Sequence, residues 1–211
     1  MSTLLIGLGG IGSALADRVA AQTGLPAFAI DIESAAQYSH ARQLCLFTGQ
    51  SLRDMLELTP EMKAWLPPAE LMRSEAMGGT CQSRQMGRAF YRHAMVQGLL
   101  QPLIEAAEDP NLQRAVIITT LVGGTGSGLF MHLASLLREK APGLELIGEF
   151  LMPPNFSFLD STAQQAHLEA NAEAACRELS AAPLFDARYF YDKRLEKPDF
   201  SYVERGILSH F

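Results

Sequence analysis

Seventeen glycines occur in 211 residues, and eight of them crowd into two six-residue windows, 7–12 and 123–128. The first window, Gly7-Leu8-Gly9-Gly10-Ile11-Gly12, follows the apolar run Thr3–Leu8. It precedes a stretch, Ile11–Ala21, whose apolar residues Ile11, Leu15 and Val19 have helical spacing. The second, Gly123-Gly124-Thr125-Gly126-Ser127-Gly128, follows the β-branched run Arg114–Val122 and precedes the helical stretch Ser127–Lys140. Strand, glycine turn, helix is the arrangement that bares backbone N–H groups and the positive end of a helix to an anion. Function is therefore sought at Gly9, Gly10, Ile11, Gly12 and Ser13, and at Gly123, Gly124, Thr125, Gly126 and Ser127. A β-carbon at Gly124 is expected to fill phosphate space, so that Gly124→Val removes binding and leaves the fold intact.

The rest of the chain alternates in the same way. Leu25–Ile32 reads as a second buried strand and Gln43–Phe47 as a weaker third. Ser51–Leu66 has a helical pattern punctuated by Pro67-Pro68, and Gly78-Gly79 opens a loop. A long helix is expected over Ser83–Glu108, kinked or broken by Pro102. Leu144–Met152 and Ala187–Tyr191 read as strands. Asp160–Ala181 reads as a helix with Asp160, Ser161 and Thr162 as candidate N-caps. The alternation predicts one α/β domain with a mostly parallel sheet and helices on both faces.

Composition narrows the partners. A net charge of -6 argues against a nucleic-acid binder and against adsorption to anionic lipid. No apolar run reaches the roughly 18 residues of a membrane span, and the N-terminus lacks the basic region of a signal peptide. Cys45, Cys81 and Cys176 are scattered and odd in number, as expected of reduced thiols in a cytoplasmic protein. His40, His93, His132, His167 and His210 form no metal-ligand pair of the H-E-x-x-H type.

The first window satisfies G-x-G-x-x-G, and Asp31 lies 19 residues past Gly12 at the end of the second strand. That is where a dinucleotide-binding domain keeps its ribose carboxylate, so an NAD(P)-binding oxidoreductase fragment is one reading. A second, denser phosphate loop has no place in that reading. The second window is not a Walker loop, because Leu129 and Phe130 stand where Lys and Ser/Thr are required. Nor is it a nucleophile elbow, because Ser127 is not at the centre of G-x-S-x-G. What remains is a phosphate cradle without a lysine.

Val122–Gly128 (V-G-G-T-G-S-G) resembles the signature loop of the tubulin/FtsZ superfamily of GTPases. The opening I-G-L-G-G-I-G-S-A resembles that family's first glycine loop, and Phe28–Glu33 its second nucleotide loop. Gly78–Arg88 (G-G-T-C-Q-S-R-Q-M-G-R) is similar to its third loop, Pro153–Phe156 to its P-x-N-F, Ala172–Ser180 to its next helix, and Asp186–Leu195 to a strand ending in N-D-K-L. The matches keep chain order from residue 3 to about 195. Val122 departs from the small residue usual before the glycines, the stretch Ser157–Leu168 is longer than in FtsZ, and no Arg falls where the family's nucleotide-contacting Arg would lie.

The resemblance implies a Rossmann-like tubulin/FtsZ nucleotide-binding domain over residues 1–211, with the family's central helix starting within 199–211. It implies GTP or GDP with Mg²⁺ and a cytoplasmic, cytoskeletal setting. Arg84, Arg88 and Arg92 recur every four residues, so that Arg84 either approaches a terminal phosphate or belongs to a solvated basic helix face with salt bridges. The resemblance gives Asp31 and Glu33 to ribose or to Mg²⁺-bound water, Gly78 and Gly79 to the third loop, and Asp192 to the base. A carboxylate there accepts from both guanine N1–H and N2–H₂. The metal would take no ligand directly from protein. The family's acidic loop, which completes the neighbouring subunit's hydrolytic site, has no counterpart in this sequence. Self-association or a partner chain supplying that loop is therefore expected, and GTPase activity only on such complementation. A nucleotide-bound scaffold or switch that does not hydrolyse is the other reading.

Overall fold

The computed structural model describes residues 2–32, 38–47, 57, 60–61, 66, 80, 82–152, 161–192 and 201–211. Among them six strands and six helices alternate. They are β1 (Ser2–Leu8), α1 (Gly9–Thr23), β2 (Ala27–Asp31), β3 (Arg42–Cys45), α2 (Arg84–Val96), α3 (Gln101–Ala107), β4 (Leu112–Thr120), α4 (Thr125–Lys140), β5 (Glu145–Leu151), α5 (Thr162–Ala181), β6 (Ala187–Tyr191) and α6 (Ser201–Leu208). The strands form one sheet in the order β3-β2-β1-β4-β5-β6, and every pairing is parallel. The α/β class expected from the sequence is the one observed.

The four inner strands, β2, β1, β4 and β5, are largely apolar on both sides because both faces are covered. Leu4, Ile6, Leu8, Ala115 and Ile117 point to a core shared with Met86, Phe90, Leu103, Phe130 and Leu179, on the face covered by α2, α3, α4 and α5. Leu5, Val116, Ile118 and Ile147 point the other way, to Leu15, Val19, Val203 and Ile207 of α1 and α6. Phe130, Phe150 and Phe185 meet edge-on and stacked, with centroids 5.2–6.5 Å apart. Phe90, Phe130 and Phe150 are fully buried, each worth about 1.5–3 kcal/mol by transfer.

Element boundaries depart from the sequence pattern at three places. The helix expected over Ser83–Glu108 is two helices. The chain turns at Gly98, whose φ of 69° is left-handed, and Pro102 lies in the first turn of α3, where its missing N–H costs nothing. Both glycine windows are partly helical, since α1 begins at Gly9 and α4 at Thr125. Of the three candidate caps of α5, Ser161 does the work, accepting from the Gln164 N–H at 3.3 Å. The helix expected over Ser51–Leu66 lies almost wholly outside the described residues, as do Pro153–Phe156 and Asp160.

On the α1 face, α6 is fixed by polar contacts as well as by Val203 and Ile207. Glu204 pairs with Arg18 at 2.5 Å and with Gln22. Glu149, in the middle of β5 and fully buried, accepts from Tyr191 Oη and meets His210 Nδ1, each at 2.7 Å. Burial pushes its carboxyl above the usual range, while those two partners oppose the shift.

Gly12 sets how closely α1 lies on the sheet, since a β-carbon there would sit 2.2 Å from the Ile118 carbonyl oxygen. Gly12→Ala is expected to cost about 2–3 kcal/mol through backbone displacement. Urea unfolding reads this as a lower midpoint at unchanged slope.

Candidate functional site

In an open parallel sheet, ligands bind at the carboxyl ends of the strands where the strand order reverses. Here that point lies between β1 and β4, which are sequential to α1 and α4. The two glycine windows therefore meet. A β-carbon on Gly9 would lie 3.1 Å from Gly126 N, and one on Gly126 would lie 2.6 Å from Leu8 O and 2.2 Å from Thr119 Oγ1. Gly9 itself has a φ of 69°, a conformation open to glycine at no steric cost. The first-turn N–H groups of both helices have no intrahelical acceptor. Each helix N-terminus carries roughly half a positive charge, so two partial charges of one sign are held side by side.

The hydroxyls in the windows turn inward. Ser13 is fully buried, and its Oγ donates to Gly7 O at 3.2 Å and Ile30 O at 3.4 Å. Ser127 is fully buried too, donating to Leu121 O at 2.6 Å. Thr125 Oγ1 lies 3.5 Å from Thr80 Oγ1. These side chains hold the windows in shape, and the groups left for an anion are backbone N–H. Gly10 is exposed and Ile11 and Gly123 are half-buried. A β-carbon at Gly10 would meet only Asp31 Oδ2, at 3.7 Å, and one at Gly123 only Thr120 Cγ2, at 3.3 Å.

Asp31 is thus brought to the first window, as the sequence placed it. Its Oδ1 accepts from the Ile32 N–H at 2.8 Å. Tyr38, which the sequence pattern did not single out, stands near it. Burial first, then the charge of Asp31, pushes the Tyr38 phenol above its ordinary value. Asp17 accepts from the N–H groups of His40 and Ala41 at 2.7 and 2.8 Å and folds this segment onto α1. Glu33, Gly78 and Gly79 lie outside the described residues.

Arg84 is salt-bridged, as one of its two sequence readings has it, but buried and not on a solvated face. It is 5% exposed, and its Nε and Nη2 donate to Ser127 O at 3.1 and 2.8 Å, with Nη2 also 2.6 Å from Glu178 of α5. Arg88 pairs with the same carboxylate. Arg84 therefore clamps α2 to the first turn of α4 and is not free at a phosphate. Its neighbour Gln82, with φ 66°, is the sole non-glycine residue in a left-handed conformation among those described, a strain of about 1–3 kcal/mol. Asn171 Nδ2 holds it, donating to Gln82 O at 2.8 Å and to Val122 O at 3.0 Å. His167 Nε2 lies 3.0 Å from the same Gln82 oxygen. Sequence reasoning missed Asn171 because its position within a helix signals nothing about a loop it bridges.

Asp192 is exposed, one residue past β6, at the carboxyl end of the sheet but two strands away from β4. Among the described residues no three His, Cys, Asp or Glu side chains converge to hold a metal ion, and no helix is long and apolar enough to cross a membrane.

A family model described as tubulin-like matches residues 33–209, and the chain belongs to that family. Solved structures give the same fold. CetZ2 from Haloferax volcanii, a GTPγS-bound protofilament, superposes with a TM-score of 0.67 at 18% identity, covering 99% of this chain and 56% of that one. TubZ of the Clostridium botulinum phage c-st gives 0.64 at 14%, covering 98% and 58%. An FtsZ mutant from M. jannaschii gives 0.61 at 14%, covering 99% and 54%. This chain thus spans little more than half of each. Comparison with curated protein sequences gives no match.

The expectation for Gly124 also changes. A β-carbon there would lie 1.9 Å from Thr80 Oγ1 and 2.8 Å from both Gln82 C and Ser83 N, so it meets protein, not ligand space. Gly124→Val is expected to destabilise the fold by about 2–3 kcal/mol. Calorimetry should record a lower Tm with no nucleotide added.

Proposed function

We propose that this tubulin-like chain binds a guanine nucleotide, GTP or GDP with Mg²⁺, at the junction of β1 and β4, as a subunit of a filament or heteromer. The observation that supports this most is the contact of two glycine-built helix N-termini. Their N–H groups and summed partial charge suit a di- or triphosphate and leave no room for larger side chains. Gly9, Gly10, Ile11 and Gly12 on one side, and Gly123, Thr125, Gly126 and Ser127 on the other, would meet the phosphates through backbone N–H. The inward-turned hydroxyls of Ser13 and Ser127 would fix those amides. Asp31 would accept from ribose or from water bound to Mg²⁺, which would offset phosphate charge that no lysine here offsets. Asp192 would accept from the base.

The strand order β3-β2-β1-β4-β5-β6 is shared with dinucleotide-binding domains. Membership of the tubulin-like family and the second glycine window favour a guanine nucleotide over NAD(P). Denaturing the purified protein and identifying the released nucleotide by mass spectrometry separates the two, and NAD(P) in the supernatant would end the guanine reading.

Gly10→Ala is the substitution suited to the phosphate site, because its β-carbon finds open space in the folded chain. It is expected to leave Tm nearly unchanged and to weaken a fluorescent GDP analogue by roughly tenfold or more in a titration. Unchanged affinity would remove the first window from the site.

Hydrolysis requires a group that orients water and another that stabilises charge on the terminal phosphate. Arg84, whose guanidinium reaches the second window, is committed to Ser127 and Glu178, and the family resemblance gives the water-orienting acid to a neighbouring subunit. The isolated chain is therefore expected to turn GTP over very slowly, with flat specific activity as its concentration rises. A steep climb in phosphate release above a critical concentration would mean that this chain completes its own site. Slow turnover that a partner chain does not raise would favour the non-hydrolysing scaffold or switch.

A further inference from the structure

We infer that β6 is the pairing edge of a two-fold dimer, in which the β6 strands of two copies of this chain run antiparallel and carry the sheet from one subunit into the other. Among the described residues β6 ends the sheet and is bonded to β5 alone. Among the described residues five large hydrophobic side chains are exposed, and four of them, Tyr189, Phe190, Tyr202 and Phe211, lie on β6 or on α6 and the residues that follow it. The opposite edge, β3, is four residues long and carries Arg42 and Gln43, the short polar form that discourages pairing. β6 carries three consecutive aromatic residues, Tyr189, Phe190 and Tyr191, with Arg188 as the charged residue within the strand.

The occupant follows from the order of side chains along Arg188-Tyr189-Phe190-Tyr191-Asp192. Laid antiparallel against its own copy and centred on Phe190, this segment sets Arg188 opposite Asp192 twice, Tyr189 opposite Tyr191 twice, and Phe190 opposite Phe190. Directly opposed charges of unlike sign and opposed aromatic residues are the favourable cross-strand pairs. A two-fold axis uses the same patch on both copies, so the strand needs no other partner to satisfy its charge pattern. The edge is also preorganised. Arg188 Nη1 donates to Leu179 O at 2.9 Å, Tyr191 is held by Glu149, Tyr189 stacks on His210 at 3.9 Å between centroids, and Phe190 rests on Phe150 at 5.6 Å. Side chains already fixed lose little entropy on association.

The β1–β4 junction lies two strands in from this edge, so each subunit keeps its own phosphate site. Asp192 is the one residue common to this edge and to the proposed base contact, and the experiment therefore uses no added nucleotide and reads association alone.

Sedimentation equilibrium over a concentration series is expected to approach twice the 23.0 kDa of one chain and no higher. Arg188→Glu, which faces an acid with an acid, should weaken association by roughly tenfold, and Arg188→Glu combined with Asp192→Arg should restore it. Under mild oxidation Phe190→Cys should form a disulfide-linked dimer, while Val96→Cys, equally exposed at 48%, should not. Circular dichroism checks that each variant is folded. A monomeric mass at every concentration, association that Arg188→Glu does not change, or equal crosslinking at the two cysteine positions overturns the proposal.

Discussion

The close approach of α1 to α4 is the constraint on which the rest of the site depends. Leu8, Gly9 and Gly126 touch through backbone alone, and Gly7 and Gly12 let α1 fold back on its own strand with no β-carbon between. Ordinary side chains at these positions would push the helices several ångströms apart and separate the two sets of free N–H groups. The arrangement has an electrostatic cost, because two helix N-termini of like partial charge are held in contact. It is offset by burial of the strands beneath, where Leu8, Ile117 and Ile118 are fully inaccessible. An anion at the junction would relieve that repulsion.

Around that contact the polar side chains act as braces. Arg84 reaches from α2 to the Ser127 carbonyl in the second window and Asn171 from α5 to the Val122 carbonyl just before it, and Thr80 packs against Thr125. Ser13 and Ser127 spend their hydroxyls on neighbouring carbonyls. The donors presented outward are then amides fixed by the backbone, whose position does not vary with a rotamer. A site of that kind is preorganised, and its geometry depends on packing over the whole α2–α5 face. That is why substitutions at Gly12 or Gly124 act on stability before they act on a ligand.

The two ends of the sheet differ in the same spirit. β3 is short and polar, and Asp17 straps the segment before it to α1. β6 is aromatic and open, with α6 fixed beside it through the Glu149, Tyr191 and His210 cluster. The solved tubulin-like structures that share this fold are nearly twice as long as the chain. The exposed aromatic residues gather on the side where β6 and α6 lie, two strands from the β1–β4 junction.

The sequence by itself determined the elements and where the two glycine turns fall between them. Apolar runs of β-branched residues between helical patterns can only be satisfied by a covered parallel sheet, and Gly7–Gly12 and Gly123–Gly128 mark the strand-to-helix turns because local backbone chemistry requires glycine there. It also placed Asp31 correctly, since the end of β2 must lie beside the end of β1. Tertiary structure alone decided what each residue near the site does. Arg84, Ser13 and Ser127 are residue types that suit a phosphate, yet each is turned to a carbonyl, of Ser127, of Gly7 and Ile30, and of Leu121 respectively. Gly124 and Gly126 look alike in the sequence, but one is packed against Thr80, Gln82 and Ser83 and the other against Leu8 and Thr119. The break at Gly98 and the bridge made by Asn171 were likewise illegible. Contacts between residues distant in the chain are fixed by packing, and local propensity carries no record of them.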